Sequence, residues 1–166
     1  MIDRQNTCCF TGHRSSKLPW GSNERDPGCL RLKQDIANVV RDVYESGIRH
    51  YICGMARGCD TYFAEAVISL RYDEPDITLE AAIPCEFQDK NWSKEDSARY
   101  DRILACCDKV TMVSTAYDRG CMMRRNMYMV QQSSVIIAVY GGGKGGTFNT
   151  LRYAYQEGLE IIEITP

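Results

Sequence analysis

Hydrophobic and polar positions along the chain alternate between two periods. Thr7-Cys8-Cys9-Phe10-Thr11 is a short apolar run ending at Gly12 and predicts a first strand. A polar stretch from Ser15 to Gly28, holding Gly and Pro, predicts a long loop. Leu32, Ile36, Val39, Val40 and Val43 then recur at helical spacing, and Gly47 ends that helix. His50 to Cys53 predicts a second strand broken by Gly54. The stripe Phe63, Ala64, Val67, Ile68 and Leu70 predicts a second helix. Thr78 to Ile83 is a third strand stopped by Pro84, Ser93 to Cys106 a charged helix, Lys109 to Val113 a fourth strand and Arg119 to Gln132 a fourth helix. Val135 to Val139 is the most apolar run and reads as a central strand. A Gly-rich loop, a helix through Tyr155 with Gly158 as its cap, and a last strand from Glu160 to Ile164 complete the pattern.

Strands alternating with helices predict an α/β fold: a Rossmann-like three-layer αβα sandwich around a mainly parallel sheet, spanning residues 1–166 as one domain. A length of 166 residues suits that size. No stretch reaches the ~18 uninterrupted apolar residues of a membrane span, and Asp3 and Arg4 open the chain without a signal-like apolar run. A cytoplasmic protein with no membrane partner is the expectation. A net charge of −2 advertises no global field for nucleic acid. The nine cysteines include no C-x-x-C pair, and only His13 and His50 can assist them, so no metal site is expected. Cys8, Cys9 and Cys53 lie in apolar strand patterns, where cysteine behaves as a small hydrophobe.

In a parallel sheet covered on both faces, ligands bind beyond the carboxyl ends of the strands, near a topological switch point. After the first strand stand Gly12, His13 and Arg14, with the arginine able to reach a phosphate. After the second come Gly54-Met55-Ala56-Arg57-Gly58-Cys59-Asp60, a turn whose glycines can expose N–H groups at a helix N-terminus. Asp60 reads as an N-cap of that helix or as an acceptor for a ribose hydroxyl. After the fifth comes Tyr140-Gly141-Gly142-Gly143-Lys144-Gly145-Gly146-Thr147, opening directly into a helix. Its glycines, Gly143, Gly145 and Gly146 among them, let backbone approach an anion, and Thr147 adds a hydroxyl. The spacing is that of neither a Walker loop nor a dinucleotide fingerprint. On the fourth helix, Met122, Asn126, Met129 and Val130 mark an apolar face onto which Arg125 leans. A guanidinium there needs a partner, either an internal carboxylate or a bound phosphate. Arg124 reads as an ordinary solvent arginine.

Phe10-Thr11-Gly12-His13-Arg14, Gly54 to Asp60, Met122-x-x-Arg125-Asn126 and Gly145-Gly146-Thr147, in that order, resemble the YpsA-like branch of the SLOG superfamily. Pro84, Gln88, Trp92 and Tyr117 are similar to that branch as well. The resemblance implies binding, sensing or processing of a nucleotide-derived small molecule, ADP-ribose among the candidates, and an association with bacterial cell-division control. Met122-x-x-Arg125 with the Gly-rich loop also resembles the Lonely Guy phosphoribohydrolases, whose pattern M-x-x-R-K then P-G-G-x-G-T-x-x-E ends in a reactive glutamate. Here Asn126 replaces the lysine, and Asn149 and Thr150 stand around the glutamate position. No catalytic residue or cofactor is therefore assigned. An N-glycosidic hydrolase, with Asp60 or Glu86 as carboxylate, is the enzyme alternative. The Gly54–Asp60 turn is similar to the S-G-x-A-x-G-I-D signature of DNA-processing protein A, which implies single-stranded DNA as a less favoured partner. Tyr62, Tyr117 and Tyr128 are the tyrosines that can stack on bases there. The apolar fourth helix suits either core packing or a homo-oligomer interface. Arg125→Ala is expected to abolish ligand binding and leave the fold intact.

Overall fold

The computed structural model describes residues 2–166. The elements are β1 (Thr7–Gly12), α1 (Pro27–Glu45), β2 (His50–Cys53), α2 (Cys59–Asp73), β3 (Thr78–Ile83), α3 (Lys94–Cys106), β4 (Lys109–Met112), α4 (Cys121–Gln131), β5 (Val135–Val139), α5 (Gly146–Gln156) and β6 (Glu160–Ile164). All six strands are parallel and lie in the order β4-β3-β2-β1-β5-β6. The chain walks outward from β1 to β4, then returns through α4 to lay β5 along the other flank of β1. Gly12 stands in register with Val139 at the carboxyl end of that pair. The switch point is therefore the crevice above β1 and β5, in a Rossmann-like α/β sandwich.

Strand periodicity divides the core in two. Cys8, Phe10, Tyr51, Cys53, Leu79, Ala81, Ile137 and Val139 pack with Leu32, Ile36 and Val40 of α1, Phe63 and Val67 of α2, and Tyr100 and Ile103 of α3. Cys9, Ile52, Ala82 and Ile136 pack on the other face with Met129 and Val130 of α4 and Ala154 of α5. The apolar face of α4 is thus consumed by the chain's own core. All nine thiols are free, and Cys8, Cys9 and Cys53 are buried. Among the described residues, no helix is long and apolar enough to cross a membrane.

Local chemistry explains the boundaries. Asp26 caps α1 through Gly28 N at 2.7 Å with Pro27 in the first turn, so the helix begins inside the stretch expected to be loop. That loop is itself pinned, by a 3-10 turn over Ser15–Lys17 and by buried Leu18. Ser93 caps α3 with Glu95 and Asp96 in its first turn. Gly47 takes φ +118° and releases the chain from α1.

Candidate functional site

Above β1, β2 and β5, three loops and the start of α4 enclose a cavity of about 340 Å³. Eight of the twelve expected site residues line it: Gly12, His13, Arg14, Asp60, Arg125, Asn126, Gly146 and Thr147. Gly54, Gly58, Gly143 and Gly145 do not. Lys17, from the 3-10 turn after β1, joins the lining. The sequence reading missed it, although a basic residue in the loop after a first strand was the available signal.

Arg125 forms the floor, only 4% exposed. Its Nε donates to Asn126 Oδ1 at 2.8 Å, Nη1 donates to the Gly54 carbonyl, and Nη2 meets the Met122 sulfur at 3.9 Å. Neither oxygen acceptor is charged, and no carboxylate forms an ion pair with it among the described residues. Burial lowers its pKa, opposed by the charge of nearby Asp60. A guanidinium so sealed, with donor capacity left over, is what an anion in the cavity would complete. Arg124, one residue away, behaves as expected: it pairs with Asp118 at 2.6 Å on the surface.

Asp60 is buried at 7% exposure, and burial raises its pKa against the pull of Arg125 and the Ala56 N–H. It is not the N-cap of α2. Gly58 holds that position, and Asp60, inside the first turn, reaches back to accept from Ala56 N at 2.9 Å. Three amides of the turn before α2 are already engaged. Ala56 N is spent on Asp60, Cys59 N on the His13 carbonyl at 3.3 Å, and Met55 N on the Cys53 sulfur.

Three of the four glycines outside the lining shape it from behind. A Cβ on Gly54 would stand 2.6 Å from Arg125 Nη1, and one on Gly58 2.7 Å from the Ser15 amide nitrogen. Gly54 therefore makes room for the guanidinium, and Gly58 lets the loop after β1 lie against the loop after β2. Gly145, at φ +147°, starts α5 beneath the Lys17 ammonium, which a Cβ there would meet at 2.8 Å. Gly143 lies at the exposed tip, where its carbonyl accepts from Tyr140 Oη. Lys144 is exposed and stays out of the cavity.

The Gly-rich loop is tied to β1 through His13. Gly141 N donates to His13 Nε2 at 3.1 Å, and the two rings of His13 and Tyr140 lie 5.9 Å apart. No side chain caps α5, which leaves its first amides without a capping partner where Gly146 and Thr147 line the cavity. Behind them Asn126 Nδ2 donates to Thr150 Oγ1 at 2.9 Å, and Thr150 donates to the Gly146 carbonyl, joining α4 to α5. Arg14, Lys17 and Arg125 face a single carboxylate, Asp60, so the lining carries a positive balance.

A second buried polar cluster escaped the sequence reading altogether. Glu80, on β3, accepts from Thr111 at 2.7 Å and Tyr128 at 2.6 Å, and its other oxygen meets His50 Nε2 at 2.7 Å. Tyr128 is thereby committed, and Tyr62 is buried, which leaves Tyr117 as the exposed tyrosine of the three.

The sequence profile of the YspA SLOG family matches residues 8–161. The chain is 31% identical over 143 residues to the uncharacterized SPbeta prophage-derived protein YoqJ of Bacillus subtilis, covering 78% of this chain and 84% of that one. It is 26% identical to a UPF0398 protein of Halalkalibacterium halodurans, over 95% of this chain and 86% of the relative. In three dimensions it is similar to the single-stranded-DNA-binding DNA processing protein A of Helicobacter pylori, with a TM-score of 0.65 and 16% identity over 99% of this chain and 67% of that one. That likeness is one of fold.

Proposed function

Since the chain belongs to the YspA SLOG family, we propose that it binds a phosphate-bearing nucleotide or nucleotide derivative in the crevice above β1 and β5. One observation carries this reading: the sealed Arg125 guanidinium, without a carboxylate partner, lies on the floor of a cavity walled by the uncapped start of α5. A phosphate there receives the Arg125 fork, the α5 amides, and the charges of Arg14 and Lys17. ADP-ribose, NAD, ADP and AMP are the compounds to test, and a regulatory role in cell division is the biological setting the family suggests.

Binding fits the local chemistry better than hydrolysis. Asp60 is the one carboxylate on the lining and is engaged by Ala56 N. Thr150, beside the position where a Lonely Guy enzyme carries its glutamate, is locked between Asn126 and Gly146. Incubation with AMP or NAD is expected to release no base.

Thermal unfolding against the four compounds tests the proposal. A ligand at one hundred times its dissociation constant adds about 2.7 kcal/mol, a midpoint rise of roughly 5–10 °C for a domain this size. No rise with any of them at millimolar concentration refutes the reading. Single-stranded DNA is a second reading. Through Arg14 and Ser16 the crevice adjoins a larger cleft of about 710 Å³ carrying Arg57, Arg102 and Trp92, although Glu24, Glu95 and Asp96 share it. It predicts an affinity that collapses steeply with added salt.

A further inference from the structure

A separate cavity of about 650 Å³ opens at the carboxyl ends of β3 and β4, walled by Phe87, Trp92, Tyr117, Arg57 and Met122. The loops that build it are joined where Glu86 N donates to the Thr115 carbonyl at 3.3 Å. Two of its three aromatic rings are not explained by folding. Phe87 is 77% exposed and Tyr117 72% exposed, so neither ring gains from burial. Phe87 also holds φ at +56°, a left-handed conformation that is strained for an aromatic residue. Trp92, by contrast, is fixed. The Arg57 guanidinium lies 5.2 Å from its ring centre, and Tyr100 meets its edge at 5.4 Å.

Met122 connects this cavity to the crevice. It lines both, and its sulfur is the atom that Arg125 Nη2 approaches. One side chain therefore separates the anion-seeking guanidinium from a wall of aromatic rings. A ligand with a phosphate at one end and a planar aromatic group at the other matches both halves. Resting on the nucleotide reading above, we infer that the aromatic cavity is the base subsite, so that the ligand is a nucleotide with its base attached rather than a sugar phosphate. Base stacking on Phe87, Tyr117 and Trp92 supplies affinity, and Glu86, Asn91 and Thr115 offer polar atoms to a base edge.

The protein has two tryptophans. Trp20 Nε1 is buried without a hydrogen-bond partner, so Trp20→Phe forfeits no bond and leaves Trp92 as sole reporter. That variant is titrated with AMP, GMP, CMP, UMP and ribose 5-phosphate. At least one nucleotide is expected to quench Trp92 and to bind about 10- to 100-fold more tightly than ribose 5-phosphate, the span of a single stacked base. Tyr117→Ala and Phe87→Gly are expected to bring that ratio toward one while ribose 5-phosphate affinity, read by thermal shift, stays unchanged. Phe87→Gly also relieves the left-handed strain, so its unfolding midpoint should not fall and loss of the preference cannot be blamed on misfolding. If ribose 5-phosphate binds as tightly as every nucleotide, or the preference survives both variants, the base subsite is overturned and the phosphate crevice stands. If none of these compounds binds, and ADP, NAD and ADP-ribose fail as well, the nucleotide reading falls and takes this inference with it.

Discussion

Two ionised side chains are sealed beneath α4, and the protein treats them in opposite ways. Glu80, 1% exposed, is surrounded by donors from three elements: His50 of β2, Thr111 of β4 and Tyr128 of α4, with Lys109 Nζ at 3.8 Å. Burial pushes its pKa up, yet hydrogen bonds from His50, Tyr128 and Thr111 hold it down at about 2. Arg125 is as deeply placed and has two neutral oxygens and a thioether. Where a buried charge is fully satisfied within the chain, the group belongs to the fold. Where satisfaction is incomplete and a cavity adjoins, the group is a candidate to be completed by a ligand, as proposed for Arg125. Perturbed ionisation alone does not separate the two cases; the inventory of partners does.

The largest expected effect falls on the satisfied side. Glu80→Ala strands three donors at once and should cost about 3–5 kcal/mol in urea unfolding, the scale for removing one member of a buried charged network. Ligand affinity of the folded fraction should be unchanged. A loss under about 1 kcal/mol would deny the network its structural role. Because the folded-state pKa is depressed, ionised Glu80 contributes its full share above the ordinary value of 4.5, and that share is lost as pH falls toward about 2. The stability gap between wild type and Glu80→Gln should therefore be flat near neutrality and close in acid.

Arg125→Met should reverse that profile. Binding of AMP or ADP-ribose should drop at least about 100-fold, as expected when a charge-assisted phosphate contact is removed. Stability should also fall by about 1–3 kcal/mol, because the buried Gly54 carbonyl loses its donor. The fold is expected to persist at this reduced stability, which arises because the guanidinium also holds the loop after β2. Titration calorimetry on the folded variant checks both halves, and retained affinity would erase the contrast with Glu80. Gly54→Ala sharpens the point without touching a charge. Its Cβ would press to 2.6 Å from Nη1, so the guanidinium must shift, with about 1–3 kcal/mol of overpacking and a weaker phosphate contact. Binding at wild-type strength in that variant would show that the position of Arg125 does not matter.

The strand and helix pattern was legible because period-two and period-3.6 burial are written directly into residues such as Phe10, Ile36 and Ile137. The candidate cavity was legible where its lining follows strand ends, at Gly12 and Arg14 after β1 and at Thr147 where the loop after β5 enters α5, since parallel-sheet topology places those ends together. Arg125 was legible from its place on an apolar helical face. What could not be read were pairings across distance. Asp60 turns back to Ala56 rather than capping its helix, and the amides of Met55, Ala56 and Cys59 after β2 are taken by neighbours. Glu80 and His50 look like ordinary polar positions until β2, β3 and β4 are aligned in register. Tyr117, Phe87 and Trp92 lie on two different loops, and only the fold brings those loops to one cavity.

The smallest effect tests how the Gly-rich loop is held over the site. His13 Nε2 accepts from Gly141 N, which requires that nitrogen to be unprotonated. Burial and the neighbouring Lys17 charge both lower the His13 pKa below its ordinary 6.5. A base depressed in the folded state contributes stability fully above its unfolded value and loses it as pH falls through the folded one. The ligand-free protein should therefore keep the loop tied at neutral pH and release it in mild acid. The midpoint difference between wild type and His13→Leu should be constant above pH 6.5 and shrink below it. Proton NMR can follow His13 directly, because His50 is the one other histidine in the chain. A titration midpoint at or above 6.5 would mean that the ring does not serve as the acceptor for Gly141 in solution. The loop would then rest on its internal Tyr140–Gly143 bond and on Tyr140 N, which donates to the Ile164 carbonyl, and the candidate crevice would owe its shape on that side to the open end of α5.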